Sequence, residues 1–415
     1  MRRRVVVTGL GLVTPLGNDV EATWSGLVEG RSGAGPITLF DATDQDVRFA
    51  CEVKDFDPEP FMDRKEVKRS DRFVQFSLAT AQQALDAAAL LEVLPGLPKE
   101  RFGVIVGSGI GGLMTLENQH LRMLERGPDR VSPFFIPMFI ADMAAGLISM
   151  RYGARGPNYA TVSACASSAH ALGLAYRSIR TGEADVMIAG GTEATITPLC
   201  TAGFAAMKAL STRNDDPATA SRPFDKYRDG FVLGEGAASL VLESLEHARG
   251  RGAPILAELV GFGQSADAYH MTAPAPEGAG AQVAIRSALA DAQVDTTDVD
   301  YVNAHGTSTP QNDATETAAL KNVFGDHAYD LVVGSTKSMT GHTLGAAGAV
   351  EGAISALVCQ RGIIPPTINF EELDPECDLD YAHHGPVERD VRVAITNSFG
   401  FGGHNVTLVV RRWTE

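Results

Sequence analysis

"SSAHALGLAYRSIRTG" (residues 167–182) and "GAAGAVEGAISALVCQRG" (345–362) are two helical stretches built almost entirely from small residues, and each ends in a basic, glycine-terminated turn. Small residues along a whole helix imply close packing in a crowded interior. A chemically capable side chain precedes each stretch, Cys165 the first and His342 the second. Upstream of each lies a strand-like run, "GVIVG" (103–107) and "LVVGST" (331–336). This echo predicts two duplicated halves joined near residues 245–255, where "LEHARGRGAPI" has the loose composition of a link.

Working outward, short Val/Ile-rich runs bounded by glycine recur along the chain: 4–9, 102–107, 184–191, 238–243, 257–263, 300–306, 331–336, 392–398 and 406–411. Continuous apolar runs of this length read as strands buried on both faces. Helical patterns lie between them at 74–90, 138–150, 167–181, 280–293, 313–324 and 345–361. The class is α/β, with helices covering both sheet faces.

The chain has 415 residues and a formal net charge of -16, which argues against nucleic acid or an anionic membrane surface as a main partner. Five scattered cysteines without a CxxC pair argue against a disulfide framework or a thiolate zinc site and suit a reducing compartment. "MRRRVVVTGLGLVTP" mimics a secretory leader, but Gly9 and Gly11 interrupt its apolar run, so it reads as an opening strand of a cytoplasmic protein.

Three polar residues stand at strand ends. Cys165, in "ATVSACASSAH", sits at a strand-to-helix junction, where free amides and the helix dipole favour a thiolate. His305 follows a buried-type strand in "YVNAHGTSTPQND", and His342 opens the second small-residue helix. Core filler and helix capping are the bland alternatives for such residues, yet together they supply the parts for thioester chemistry. "TNSFGFGGHN" (396–405) adds a glycine turn whose amides can face an oxyanion, with Phe399 and Phe401 as aromatic walls.

"GSGIGG" (107–112) fits the dinucleotide fingerprint, but no second strand ending in an acidic residue follows at the required distance. No H-E-x-x-H or similar spacing marks a metal site. The basic run "DRKEVKRSDR" places Arg64, Lys65, Lys68, Arg69 and Arg72 mostly on one face if helical. It reads as a solvated surface or as a docking patch for an acidic protein, with Lys208 and Arg213 of "MKALSTRNDD" adding to it.

The segments "ACASSAHA", "GGTEATITPL", "SRPFDKYRDGFVLGEGA", "VNAHGTSTPQND", "STKSMTGHTLGAAGAVE" and "NSFGFGGHN" resemble the β-ketoacyl-[acyl-carrier-protein] synthases of dissociated fatty acid synthesis, most of all synthase II. The resemblance implies a thiolase-like fold: duplicated αβαβα halves, 1–250 and 251–415, forming a five-layered sandwich and pairing as a homodimer. It implies that Cys165 accepts the acyl chain while His305 and His342 bind the malonyl thioester and promote decarboxylation. Lys337 would support the second histidine, Glu351 would be its buried acidic partner, and Phe401 would gate the site, its amide completing an oxyanion hole with that of Cys165. Ile110, Phe204, Thr272, Thr307, Thr309, Phe399 and Gly402 would contact substrate. Acyl carrier protein would dock on Arg64, Lys65, Lys68, Arg69, Lys208 and Arg213, and no cofactor or metal is expected. His404 departs from the threonine many relatives have. A polyketide ketosynthase and a non-catalytic chain-length subunit are the competing readings; the Ser-Ala-Cys-Ala-Ser stretch disfavours the first and the retained cysteine the second.

Overall fold

In the computed structural model, which describes residues 2–415, all nine Val/Ile-rich runs form strands. The first set of elements is β1 (Val5–Val13), α1 (Arg72–Ala87), β2 (Phe102–Gly107), α2 (Met143–Tyr152), β3 (Asn158–Thr161), α3 (Ser167–Arg180), β4 (Val186–Glu193) and β5 (Gly236–Ser244). The second is β6 (Ala257–Ala266), α4 (Ala279–Ala292), β7 (Tyr301–Asn303), α5 (Pro310–Phe324), β8 (Val332–Gly334), α6 (Ala347–Arg361), β9 (Val393–Gly400) and β10 (His404–Arg412).

Strand order proves the echo to be a repeat of topology. The first set runs β1-β5-β4-β2-β3 and the second β6-β10-β9-β7-β8, position for position the same. Pairing sense repeats as well: β1–β5 and β5–β4 are antiparallel while β4–β2 and β2–β3 are parallel. Their counterparts β6–β10, β10–β9, β9–β7 and β7–β8 follow the same rule. The two five-stranded sheets are continuous, hydrogen-bonded into one of ten strands where β1 meets β6 through the antiparallel pairs Val6–Glu258 and Val7–Ala257.

Five layers result. The central one is α3 and α6, whose Leu172, Ala175, Ala349 and Ala353 share one core with Leu10, Leu242, Leu259 and Leu408 of the two sheets. Outside the first sheet, α1 and α2 bury Phe73, Ala84 and Ile148 against Val104, Ile188 and Val241. Outside the second, α4 and α5 bury Ile285, Leu289 and Leu320 against Val302, Ile395 and Val409. The central helices explain their own composition: every residue from Ala347 to Cys359 is buried. A methyl group added at Gly348 would sit 2.7 Å from the Ala169 Cβ, and one at Gly352 2.8 Å from Leu172 Cδ1. Larger side chains there would force the two helices apart.

Some boundaries differ from the sequence expectation. The helix expected at 74–90 starts at Arg72, capped by Asp71, and the one expected from 138 starts at Met143, after a separate turn of helix at Phe135–Phe139. Strand β3 and the helices Leu113–Arg126 and Pro198–Ala206 were not anticipated. The basic run does not form one helix, because Asp63 caps a single turn, Arg64–Val67, and the chain breaks before α1. Among the described residues no helix is long and apolar enough to cross a membrane.

Candidate active site

The chain leaving β3 turns sharply at Ala164, whose φ of 50° lies in the left-handed region, costly for a residue with a Cβ. Ser167, the first residue of α3, holds the turn: its hydroxyl donates to the Ala164 carbonyl at 2.6 Å and accepts from the Ser163 amide at 2.9 Å. The turn presents Cys165 to a cavity just ahead of the helix.

Both histidines come from the other half of the sandwich. His305 lies two residues beyond β7, and its amide and that of Gly306 donate to the Glu316 carboxylate on α5 at 2.9 and 2.8 Å. Asn397 on β9 donates to the same carboxylate at 3.1 Å. His342 is held by its amide on the Val232 carbonyl (2.7 Å) and by its carbonyl, which accepts from Gly234 (2.9 Å). Its Nε2 stands 3.0 Å from Cys165 Sγ. The two imidazole rings are 5.4 Å apart and nearly perpendicular; Phe399 packs on His305 at 5.6 Å and Phe231 on His342 at 5.3 Å. Behind them Lys337 forms a buried ion pair with Glu351 of α6.

Burial sets the protonation states. It pushes both imidazoles well below their usual value, and the Lys337 ammonium pushes them further, so near neutral pH each ring is neutral with one N–H to donate. Burial likewise pushes the Cys165 thiol up to about 12, opposed by Lys337 and by the amides of Phe401 and Cys165 itself, and reinforced by Glu193. Burial thus works against the thiolate that the helix N-terminus is expected to favour. Burial raises Glu351 to about 7 despite its lysine partner.

The cavity holds about 540 Å³ and brings together most of the residues singled out from sequence: Cys165, His305 and His342 at its base, with Ile110, Phe204, Thr272, Thr307, Thr309, Phe399 and Phe401 on its walls. Gly402 does not line it; its amide donates to the Met271 carbonyl at 2.7 Å. Lys208 is at the cavity while Arg64, Lys65, Lys68 and Arg69 are exposed on the surface. Two of the basic residues are already engaged, Arg64 by Glu59 at 2.9 Å and Arg69 by the face of Phe134 at 4.2 Å. Arg72 does not belong with them: its guanidinium turns inward onto Glu235. Arg213 is half-buried and donates to the Tyr227 carbonyl at 3.2 Å.

"GSGIGG" has a different purpose from nucleotide binding. Its Ser108 hydroxyl and the amides of Gly109 and Ile110 all donate to the buried carboxylate of Glu193. Glu193 and Glu316 escaped the sequence reading because an isolated acidic residue looks like surface. The one available signal was their setting, Glu193 ending the apolar run of β4 and Glu316 facing inward on α5.

A cysteine supplied by one half of a duplicated sandwich and two histidines supplied by the other is the arrangement of the thiolase-like condensing enzymes, and that is the class this fold and site define. The chain belongs to the β-ketoacyl synthase family: residues 2–248 match the family's N-terminal domain and residues 256–371 its C-terminal domain. It is similar to the 3-oxoacyl-[acyl-carrier-protein] synthase 2 of Synechocystis sp., 55% identical over 99% of each chain, and to that of Coxiella burnetii, 52% identical over 99% of each. Among solved structures it resembles a type II polyketide ketosynthase bound to its acyl carrier protein (AntDE:AntF; TM-score 0.93, 35% identity, all of both chains). It also resembles a β-ketoacyl synthase from Burkholderia phymatum (TM-score 0.91, 36% identity, 99% of this chain and 100% of that one).

Proposed function

We propose that the protein is a condensing enzyme of fatty acid elongation, a β-ketoacyl-[acyl-carrier-protein] synthase II that joins an acyl chain to malonyl-[acyl-carrier-protein] and releases CO2. The observation that carries this reading is the 3.0 Å approach of His342 Nε2 to Cys165 Sγ, with a second neutral imidazole beside it.

In the first half-reaction Cys165 sulfur attacks the acyl thioester; the new C–S bond forms as the carrier's C–S bond breaks, and the thiol proton leaves on the carrier's sulfur. The amides of Cys165 and Phe401 would face the transient oxyanion. In the second, the malonyl thioester carbonyl accepts N–H donors from His305 and His342. The bond to its carboxylate breaks, and the electron pair passes to the α-carbon as CO2 departs. That carbon attacks the acyl carbonyl, the C–S bond to Cys165 breaks, and the thiolate takes a proton from solvent. Neutral imidazoles suit this step, since it needs donors to an enolate oxygen and no acid. Lys337 and Glu351 act behind His342, Phe401 guards the entrance, and the scheme calls for no cofactor or metal.

The remaining parts of the reading have their own support. Acyl carrier protein as partner fits the exposed Arg64, Lys65, Lys68 and Arg69 and the Lys208 at the cavity mouth. A homodimer fits the open edge of β3, where Tyr159 and the following Val162 are exposed. Five free cysteines fit a cytoplasmic enzyme. Division into 1–250 and 251–415 fits the repeated strand order.

The test is direct. After incubation with acyl-[acyl-carrier-protein], the intact mass should rise by one acyl group, and Cys165→Ala should show no gain; malonyl-[acyl-carrier-protein] should then yield 3-oxoacyl product and CO2. An acyl group elsewhere than on Cys165 defeats the reading. The polyketide reading draws on the AntDE:AntF likeness; it predicts several condensations without release, whereas elongation predicts release after one.

A further inference from the structure

Glu193 ends β4 with its carboxylate at the wall of the cavity, fully buried. Every group with a strong effect on it besides burial is a hydrogen-bond donor. Its Oε2 accepts from the amides of Gly109 (2.7 Å) and Gly345 (3.0 Å), and its Oε1 from Ser108 Oγ (3.0 Å) and the amide of Ile110 (3.2 Å). Burial raises the Glu193 carboxyl above its ordinary value, and the three backbone N–H groups and the hydroxyl pointed at its two oxygens oppose that shift by stabilising the ionised form. The surroundings are cut to fit it. A Cβ at Gly109 would lie 2.8 Å from Oε2, and one at Gly345 2.5 Å.

The two segments it grips have different tasks. Residues 108–110 end at Ile110 on the cavity wall; Gly345 follows His342 by three residues and precedes α6. One carboxylate thus ties the wall of the chain pocket to the turn bearing a histidine. It also acts on the sulfur in the same cavity. The groups facing Cys165 are the His342 ring, the amides of Phe401 and Cys165, the Lys337 ammonium, which favours a thiolate, and Glu193, which opposes it; Glu193 acts likewise on the nearby Cys200 thiol.

We propose that Glu193 is a positioning residue of the condensing site: its ionised carboxylate holds Ile110 and the His342 turn in register and places a negative charge in the same cavity as Cys165. The inference rests on the condensing reading for its substrates, and on the four hydrogen bonds and the shared cavity for the tie and the placement of the charge.

The experiment compares the full-length enzyme with Glu193→Gln and Glu193→Asp. The first readout needs no substrate: the pH dependence of Cys165 alkylation by iodoacetamide, followed by mass spectrometry of the Cys165 peptide. Glu193→Gln should move the midpoint down by about one pH unit, roughly a tenfold rise in reactivity at fixed pH. Glu193→Asp keeps the charge and should keep the midpoint. Being one methylene shorter, it should release either Gly109 or Gly345 and lower kcat for elongation at least tenfold, with KM for acyl-[acyl-carrier-protein] within twofold. An unmoved midpoint in Glu193→Gln, or a wild-type rate in Glu193→Asp, overturns the proposal. Should Glu193→Gln not fold, the kcat and KM of Glu193→Asp decide alone. Failure of the wild type to become acylated would instead overturn the condensing reading and leave the alkylation result standing.

Discussion

Arg72 forks onto Glu235, with Nε and Nη2 each 2.9 Å from a carboxylate oxygen, and its Nη2 also donates to the Val53 carbonyl at 2.9 Å. Glu235 is completely buried and its pKa is raised by desolvation, which the guanidinium opposes. A bidentate pair of this kind is hard to dissect one side at a time, because removing the cation leaves a bare charge in the core. Arg72→Met should lower stability by about 3–5 kcal/mol, read as a drop in the urea midpoint. Arg72→Met with Glu235→Gln should recover at least half of the loss; no recovery would mean that packing, and not the stranded charge, sets the cost.

Stability should also depend on pH through the histidine pair. Both folded-state values are depressed below the unfolded value near 6.5, His305 by burial, Lys337 and His342, and His342 by burial and Lys337. Above that value neither state binds a proton and the contribution is complete; as pH falls below it, the unfolded chain takes up protons that the folded site refuses. Each histidine should therefore remove about 1.4 kcal/mol per pH unit below 6.5. Glu351, whose folded value is raised, changes in the opposite sense over part of this range, so the clean measurement is a difference. The fall in Tm from pH 7 to pH 5.5 should be smaller in His305→Ala than in the wild type, and equal slopes would contradict a buried neutral ring.

Much of this architecture could be read from the chain because the information was local. A strand buried on both faces needs a run of Val and Ile, and the central helices need glycine and alanine wherever Gly348 meets Ala169 and Gly352 meets Leu172. What escaped is what depends on distant partners. Strand β3, "NYAT", is an edge strand with its first residues exposed, so it carries no apolar run. Glu193 and Glu316 take their meaning from amides that the fold brings to them, Gly345 being 152 residues from Glu193. Arg72 looked like its basic neighbours, and only the break of the helix before residue 72 turns it inward. Chemistry carried by one residue type was legible; electrostatics set by burial was not, and the upward push of burial on the Cys165 thiol is of that second kind.

The exposed basic residues give a prediction that separates docking from chemistry. Lys65 is exposed and forms no ion pair among the described residues, whereas Arg69 lies over Phe134. Charge reversal at both should slow encounter with an acidic carrier without touching the cavity. The expectation is a tenfold or larger rise in KM for carrier-bound acyl chains, with kcat and the KM for acyl-CoA surrogates unchanged, and the effect should shrink at high salt. An equal rise for both substrates would place the damage in the fold.

The last prediction concerns what the two imidazoles do. Because burial and Lys337 keep both neutral, each can offer an N–H to the forming enolate oxygen, and neither is set up as a proton donor of imidazolium type. His342→Ala should still accept an acyl group on Cys165, visible by intact mass, yet release CO2 from malonyl-[acyl-carrier-protein] about 10²–10⁴ times more slowly. A donor role and a base role part company in His342→Gln. Glutamine can bring its amide N–H close to the position of the ring's Nε2, the nitrogen that faces Cys165, but has no basic nitrogen, so a donor role predicts CO2 release at least tenfold faster than in His342→Ala. If the glutamine and alanine variants are equally slow while both are fully acylated, the ring works by moving a proton, and the account of the decarboxylation step built on neutral donors is wrong.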